Sequence, residues 1–128
     1  MHDPARAAAE LRRCVTELGF KGALVNDTQR AGPEGDDMIF YDSEKWDVFW
    51  QTVVDLDVPV YFHPRSNPPP ISTLLFAHAP WLIAAAQEFA VTLSNHLLGL
   101  CTNGVFEYAS APIAIITISD PFLVASLR

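Results

Sequence analysis

Two apolar periodicities alternate along this chain. Leu11, Cys14, Val15 and Leu18 recur at helical spacing. Asp3 can cap the helix they imply, Pro4 suits its first position, and Gly19 is placed to end it in a left-handed conformation. FKGALVN follows, an apolar run of strand length ending at Asn26. Trp46, Phe49, Trp50 and Val53 give a second helix a heavy aromatic face, with Asp42 or Ser43 as its cap. That spacing makes the aromatic group core rather than a stacking platform. VPVYF (58–62) reads as a second strand, with Pro59 near its start where a missing N–H is tolerated. Pro80 opens the third and longest helix, with Ile83, Ala86, Ala90, Leu93 and Leu97 as its buried stripe and an end near Asn103 and Gly104. IAIITI (113–118) is the third strand.

Residues 27–40 hold Gly32, Pro33 and Gly35 and read as a long loop. Residues 64–79 read as another, because SNPPP (66–70) cannot lie inside a helix. The order is therefore helix, strand, helix, strand, helix, strand. The first two strands are apolar throughout, as in parallel sheets covered on both faces. This alternation implies right-handed crossovers and a parallel α/β sheet. Three strands cannot close a barrel, and a full eight-stranded one needs roughly 250 residues. Unpaired edges and an uncovered inner face would make such a piece poorly soluble or partly molten by itself.

Composition narrows the function classes. Half of the 128 residues are hydrophobic and 18% are charged, so a packed core is expected. A net charge of −7 and the absence of any basic run argue against a nucleic-acid partner. The apolar stretches are broken by Gln87 and Glu88 and by Asp120 and Pro121, so neither spans a membrane. Cys14 and Cys101 are far apart, form no CxxC pair and fit a reduced, cytoplasmic protein. The amino-terminal segment is charged and amphipathic, unlike a signal peptide.

In parallel α/β folds, reactive residues collect at the carboxyl ends of the strands. That rule selects Asn26, His63 and Arg65, and whatever follows Ile118. His63 stands one residue past its strand, stiffened by Pro64, where imidazole could bind a divalent metal or carry a proton, or merely bond a loop carbonyl. Arg65 could clamp a carboxylate in bidentate fashion or sit in a surface salt bridge. Asn26 could orient a ligand or bond the neighbouring strand. His78 could reach the same mouth or lie in solvent. His96, near the apolar stripe, reads as packing. Nucleotide-binding, P-loop, serine-hydrolase and zinc-protease motifs are absent.

ELGFKGALVN, YDSEKWDVFWQTVVDLDVPVYFHPR and HAPWLIAAAQEFAVTLSNHLLGLCTNGVFE together resemble the amidohydrolase-related decarboxylases. These include the 2,3-dihydroxybenzoate and γ-resorcylate decarboxylases and aminocarboxymuconate semialdehyde decarboxylase. The likeness covers roughly residues 1–108 of a single domain, 1–128, and residues 109–128 diverge. It implies a partial (β/α)8 TIM barrel of three parallel strands with flanking helices, about strands 4 to 6. It implies a zinc or manganese ion that holds the carboxylate and ortho hydroxyl of a small aromatic substrate as a Lewis acid. The reaction would be non-oxidative loss of CO2, and family members form homo-oligomers.

On this resemblance His63 is a metal ligand, and position near the strand ends puts Arg65, Asn26 and His78 on the substrate side. The family's first-strand metal motif has no counterpart here. An ungapped reading puts Ile118 where the family places a histidine after its sixth strand, with Ser119 and Asp120 next. The late aspartate ligand is also missing. Met1 then matches an internal position of a full-length relative, and the chain reads as an internal fragment. The alternative is a non-catalytic remnant that acts at most as a binding module.

Overall fold

The computed structural model describes residues 1–108 and 115–117. Helix α1 spans Pro4–Thr16 and begins as its residues dictate: the Asp3 carboxylate accepts from the Arg6 amide at 3.0 Å, and Pro4 occupies the first turn. Gly19 turns the chain away at φ +72. Leu11 faces the core and Cys14 and Val15 are partly covered, but Leu18 is exposed because the helix ends before it.

Strand β1 (Ala23–Asn26) pairs in parallel with strand β4 (Val60–His63), which pairs in parallel with strand β5 (Ile115–Thr117). The register sets Leu24 beside Tyr61, Val25 beside Phe62 and Asn26 beside His63. Side chains alternate across a sheet. Val25, Val60 and Phe62 are therefore buried on the face that joins the Leu11, Trp46, Phe49 and Trp50 core, while Leu24, Asn26 and His63 are exposed on the other. Only one face is covered among the described residues, although the uniformly apolar strands suggest two. Helix α2 (Asp47–Leu56) packs beside α1 on the covered face.

At Gly22 a β-carbon would stand 2.5 Å from the Pro59 carbonyl oxygen, at the point where β1 and β4 begin to pair. Gly22→Ala should therefore cost roughly 1–3 kcal/mol, by the strain of forcing extra atoms into packed structure. Urea denaturation measures it, and an unchanged midpoint would show that the strands can part at this end without penalty.

Three expectations are corrected. Residues 27–40 are not wholly loop, because Gln29–Ala31 (β2) and Asp37–Ile39 (β3) pair as an antiparallel hairpin. Residues 64–79 are not loop either: Pro69–Phe76 forms helix α3, with Pro69 and Pro70 in the first turn, where the missing N–H groups have no helical partner anyway. The third helix does not start at Pro80. Two 3-10 turns, Pro80–Leu82 and Ala84–Ala86, come first, and helix α4 spans Glu88–Thr102.

Between those turns Ile83 is extended, and Ala84, the first residue of the second, adopts φ +60, an uncommon conformation for alanine that breaks the helical run. The buried stripe of α4 is consequently Glu88, Thr92, Leu93, His96 and Leu100. Ser43 sits at the cap position before the 3-10 turn Glu44–Trp46, but it accepts through its carbonyl rather than its side chain. A short helix α5, Val105–Tyr108, follows α4. Ile118, Ser119 and Asp120 lie outside the described residues. No helix among the described residues is long and apolar enough to cross a membrane.

Candidate active site at the carboxyl ends of the parallel strands

His63 is the last residue of β4 rather than the first beyond it. Its partner in register is Asn26, the last residue of β1, so the two side chains stand side by side on the uncovered face. The ladder runs one residue further, with the Asp27 amide donating to the His63 carbonyl at 2.9 Å. Nδ1 of His63 lies 2.9 Å from the Pro64 carbonyl. A carbonyl can only accept, so the neutral ring carries its proton on Nδ1 and keeps a lone pair on Nε2. The bond to a loop carbonyl foreseen as the bland role of His63 is thus present, and it is the arrangement that prepares the other nitrogen to bind a metal.

Arg65 is exposed two residues on, and neither ion pair among the described residues involves it. Its charge reaches inward. The Met1 amine is lowered first by burial and then by Arg65. Burial, helped by Asp27, pushes the Tyr41 hydroxyl well up, and Arg65 partly offsets that. His78 is exposed in the turn after α3, and no described hydrogen bond ties it to Asn26, His63 or Arg65.

Asp27 was not singled out by the strand-end rule, although it directly follows Asn26. It is fully buried. Oδ1 accepts from the Thr28 amide at 2.8 Å, while Oδ2 has no hydrogen-bond partner among the described residues. Burial pushes its carboxyl up to about 6 against the pull of Thr28, the Arg65 backbone and His63. Behind it lies an aromatic floor of Tyr41, Phe62 and His96, with ring centroids 5.1 to 6.2 Å apart. Trp50 braces this floor by donating to the Tyr41 carbonyl at 2.7 Å. His96 is packing, as its place near the apolar stripe suggests. The Tyr41 amide donates to its Nε2 at 2.9 Å, and burial lowers the ring to about 4.

A second polar centre, invisible in the sequence, anchors the far wall. The fully buried Glu88 carboxylate accepts from the Asn67 amide at 3.0 Å, the Ala84 amide at 2.9 Å and the Ser72 hydroxyl. Burial alone would raise it, but these donors outweigh burial and hold it below the usual carboxylate range.

No group of three or more His, Cys, Asp or Glu side chains that could hold a metal exists among the described residues. They offer one prepared donor, His63 Nε2, where a catalytic site needs about three protein ligands. They do not by themselves fit a catalytic metal.

Comparisons with known proteins bear on the family and the fold. The model of a family described as amidohydrolase matches residues 1–102. A γ-resorcylate decarboxylase of Rhizobium radiobacter is 41% identical over 107 residues, which are 84% of this chain and 32% of that enzyme. A solved 2,6-dihydroxybenzoate decarboxylase in complex with 2,6-dihydroxybenzoate superposes with a TM-score of 0.81 at 39% identity, covering 90% of this chain and 35% of the other. A dihydroxybenzoic acid decarboxylase from a Polaromonas species, with bound manganese and 2-nitroresorcinol, gives 0.80 at 38% identity, covering 90% and 34%. The chain spans about a third of the length of the curated relatives it matches. Its fold is accordingly a partial (β/α)8 barrel, and the Polaromonas relative is the one of these two whose structure is described with manganese.

Proposed function

The chain belongs to the amidohydrolase family, and from that premise we propose that it serves a metal-dependent carboxy-lyase acting on a small aromatic hydroxy acid. The single observation that carries this reading is the pairing of Asn26 with His63 at the carboxyl ends of β1 and β4, with no partner for Nε2 of His63 among the described residues. His63 is the metal ligand of the proposal, with manganese or zinc as the ion. Arg65 supplies the cation for the substrate carboxylate, and Asn26, beside His63, offers amide groups to a ring hydroxyl. His78, exposed in the turn after α3, completes the substrate side of the proposal. A proton drawn from solvent adds to the ring carbon that bears the carboxylate, the bond between them then breaks, its electron pair returns to the ring and CO2 leaves. The dihydroxybenzoate decarboxylases among the relatives support this substrate class. Two free cysteines support a cytoplasmic location.

One observation favours a second reading, in which the chain acts only as a binding module: the described residues supply a single metal donor. One pair of measurements separates the two. Manganese binding, followed by electron paramagnetic resonance, is expected to weaken about tenfold or more in His63→Ala, the order of loss seen when a metal's supporting shell is broken. CO2 release from 2,6-dihydroxybenzoate with manganese present reports the activity. Unaltered manganese affinity in the variant removes His63 from the site. Binding without CO2 release favours the second reading.

A further inference from the structure

The segments that leave the carboxyl ends of β1 and β4, residues 27–43 and 64–79, carry one basic residue each, Arg30 and Arg65. The two segments rise together. Asn26 pairs with His63, and the Asp27 amide donates to the His63 carbonyl. They meet again further out, where Nη2 of Arg30 donates to the Asn67 carbonyl at 3.1 Å. Asn67 is a fixed anchor. It is buried, its amide donates to Glu88 at 3.0 Å, and its side-chain oxygen accepts from Thr92 at 3.2 Å. It also lies two residues past Arg65, no more than about 7 Å along the chain. The Arg30 guanidinium is therefore held beside the segment that carries Arg65.

This tie leaves most of the Arg30 side chain unused. A guanidinium has five N–H donors, and the Asn67 carbonyl is the one acceptor Arg30 has among the described residues. Neither ion pair among those residues includes Arg30 or Arg65. The acidic residues of the same segment are placed elsewhere. Arg30 pairs with Met38 and Ala31 with Asp37, so the Arg30 and Asp37 side chains lie on opposite faces of the hairpin. Asp42 stands against Gly99 on α4, Asp27 is fully buried, and Glu34 and Asp36 occupy the turn. Holding a carbonyl needs only a neutral donor, so the charge of Arg30 is surplus to the tie.

We propose that Arg30 binds a second acid group on the substrate ring, which makes the substrate class an aromatic hydroxy acid with two carboxylates; this rests on the carboxy-lyase reading above, in which Arg65 takes the first. One guanidinium fork suits one carboxylate in bidentate fashion, so two forks suit two. Arg30 is anchored further from the strand ends than Arg65 and meets the acid group that points away from His63. A chain of net charge −7 repels a dianion except where cations gather, and the two arginines gather there.

Isothermal titration calorimetry with manganese present tests this, with 2-hydroxybenzoate and 4-hydroxybenzene-1,3-dicarboxylate as probes. The two differ by one carboxylate. The diacid is expected to bind about tenfold or more tightly than the monoacid, as one charge-assisted pair allows. Arg30→Gln keeps a donor for the Asn67 carbonyl and removes the charge. It should bring the diacid down to the affinity of the monoacid, leave the monoacid unaffected and keep Tm. Arg30→Lys, which keeps the charge without the fork, should recover part of the preference. Equal affinities in the parent overturn the proposal and leave the carboxy-lyase reading standing. A preference that survives Arg30→Gln assigns the second acid to a different cation and overturns it too. So does an equal loss of both acids with a lowered Tm, which makes Arg30 a tie and no more. If neither acid binds, the proposal and the reading beneath it fall together.

Discussion

Glu88→Ala is expected to cost roughly 4 kcal/mol, the sum of leaving two buried amides and a hydroxyl without their acceptor, and to lower Tm by about 15 °C. The carboxylate is fully buried. It remains ionised because the Asn67 and Ala84 amides and the Ser72 hydroxyl surround it. Asn67 is a hub in turn, since its side-chain oxygen accepts from Thr92 at 3.2 Å and its carbonyl from Arg30 at 3.1 Å. Removing Glu88 therefore loosens the exit from β4, α3 and the strained turn at Ala84 together. Glu88→Gln, which keeps one oxygen to accept, should cost about half as much. Thermal melts followed by circular dichroism decide the matter. A loss below about 1 kcal/mol for the alanine variant would mean that water satisfies these donors and that the network is not what holds the segment.

The second large effect depends on pH and involves two groups of opposite sign. His96 has a folded pKa of about 4, below its ordinary 6.5, because burial disfavours the charged ring; Asp42 and the Asp27 backbone oppose the shift without reversing it. Tyr41 already donates to Nε2, so protonating that nitrogen sets two N–H groups against each other. Stability from this group is complete above about pH 6.5 and is lost as pH falls toward 4, about 3 kcal/mol in all. Asp27 behaves in reverse. Its folded pKa of about 6 lies above the ordinary 3.8. Its contribution is complete below about pH 4 and is lost as pH rises through 6, by about 3 kcal/mol.

The two slopes overlap between about pH 4 and 6 and nearly cancel. Single variants separate them. In Asp27→Asn, stability should fall steeply on acidification from pH 6.5 to 4, whereas in His96→Gln it should rise over pH 6 to 4. Chemical denaturation at half-unit steps of pH gives both profiles. Parallel profiles in the two variants would show that neither group carries the shift assigned to it. Asp27→Asn should also be more stable than the parent at pH 8, since it removes a buried carboxylate with an unpaired oxygen.

Much of the site was legible in the sequence because strand ends are. The apolar runs before Asn26 and His63 locate β1 and β4, and the parallel order follows from the intervening helices. The pairing of Asn26 with His63 was not legible, since register depends on how two strands separated by a hairpin and a helix come together. Asp27 was passed over for the same reason: adjacency to a strand end is visible in a sequence, but burial is not. The hairpin at 29–39 was hidden by glycine and aspartate signals that mark turns as well as loops. Helix α3 was hidden by three prolines, two of which occupy its first turn.

His63, Asn26 and Arg65 as strand-end residues, the aromatic core face of α2 and the packing role of His96 all follow from residue order, because they depend on local spacing. Tertiary structure alone decided which oxygen, nitrogen and amide groups meet. It seated the Tyr41 amide against His96, buried Asp27 with an oxygen unpaired among the described residues, and brought the donors of Asn67 and Ser72 to Glu88. The hydrogen bonds among them join residues 16 to 55 apart, as Ser72 with Glu88 and Tyr41 with His96 do. Local periodicity carries no information about separations of that length.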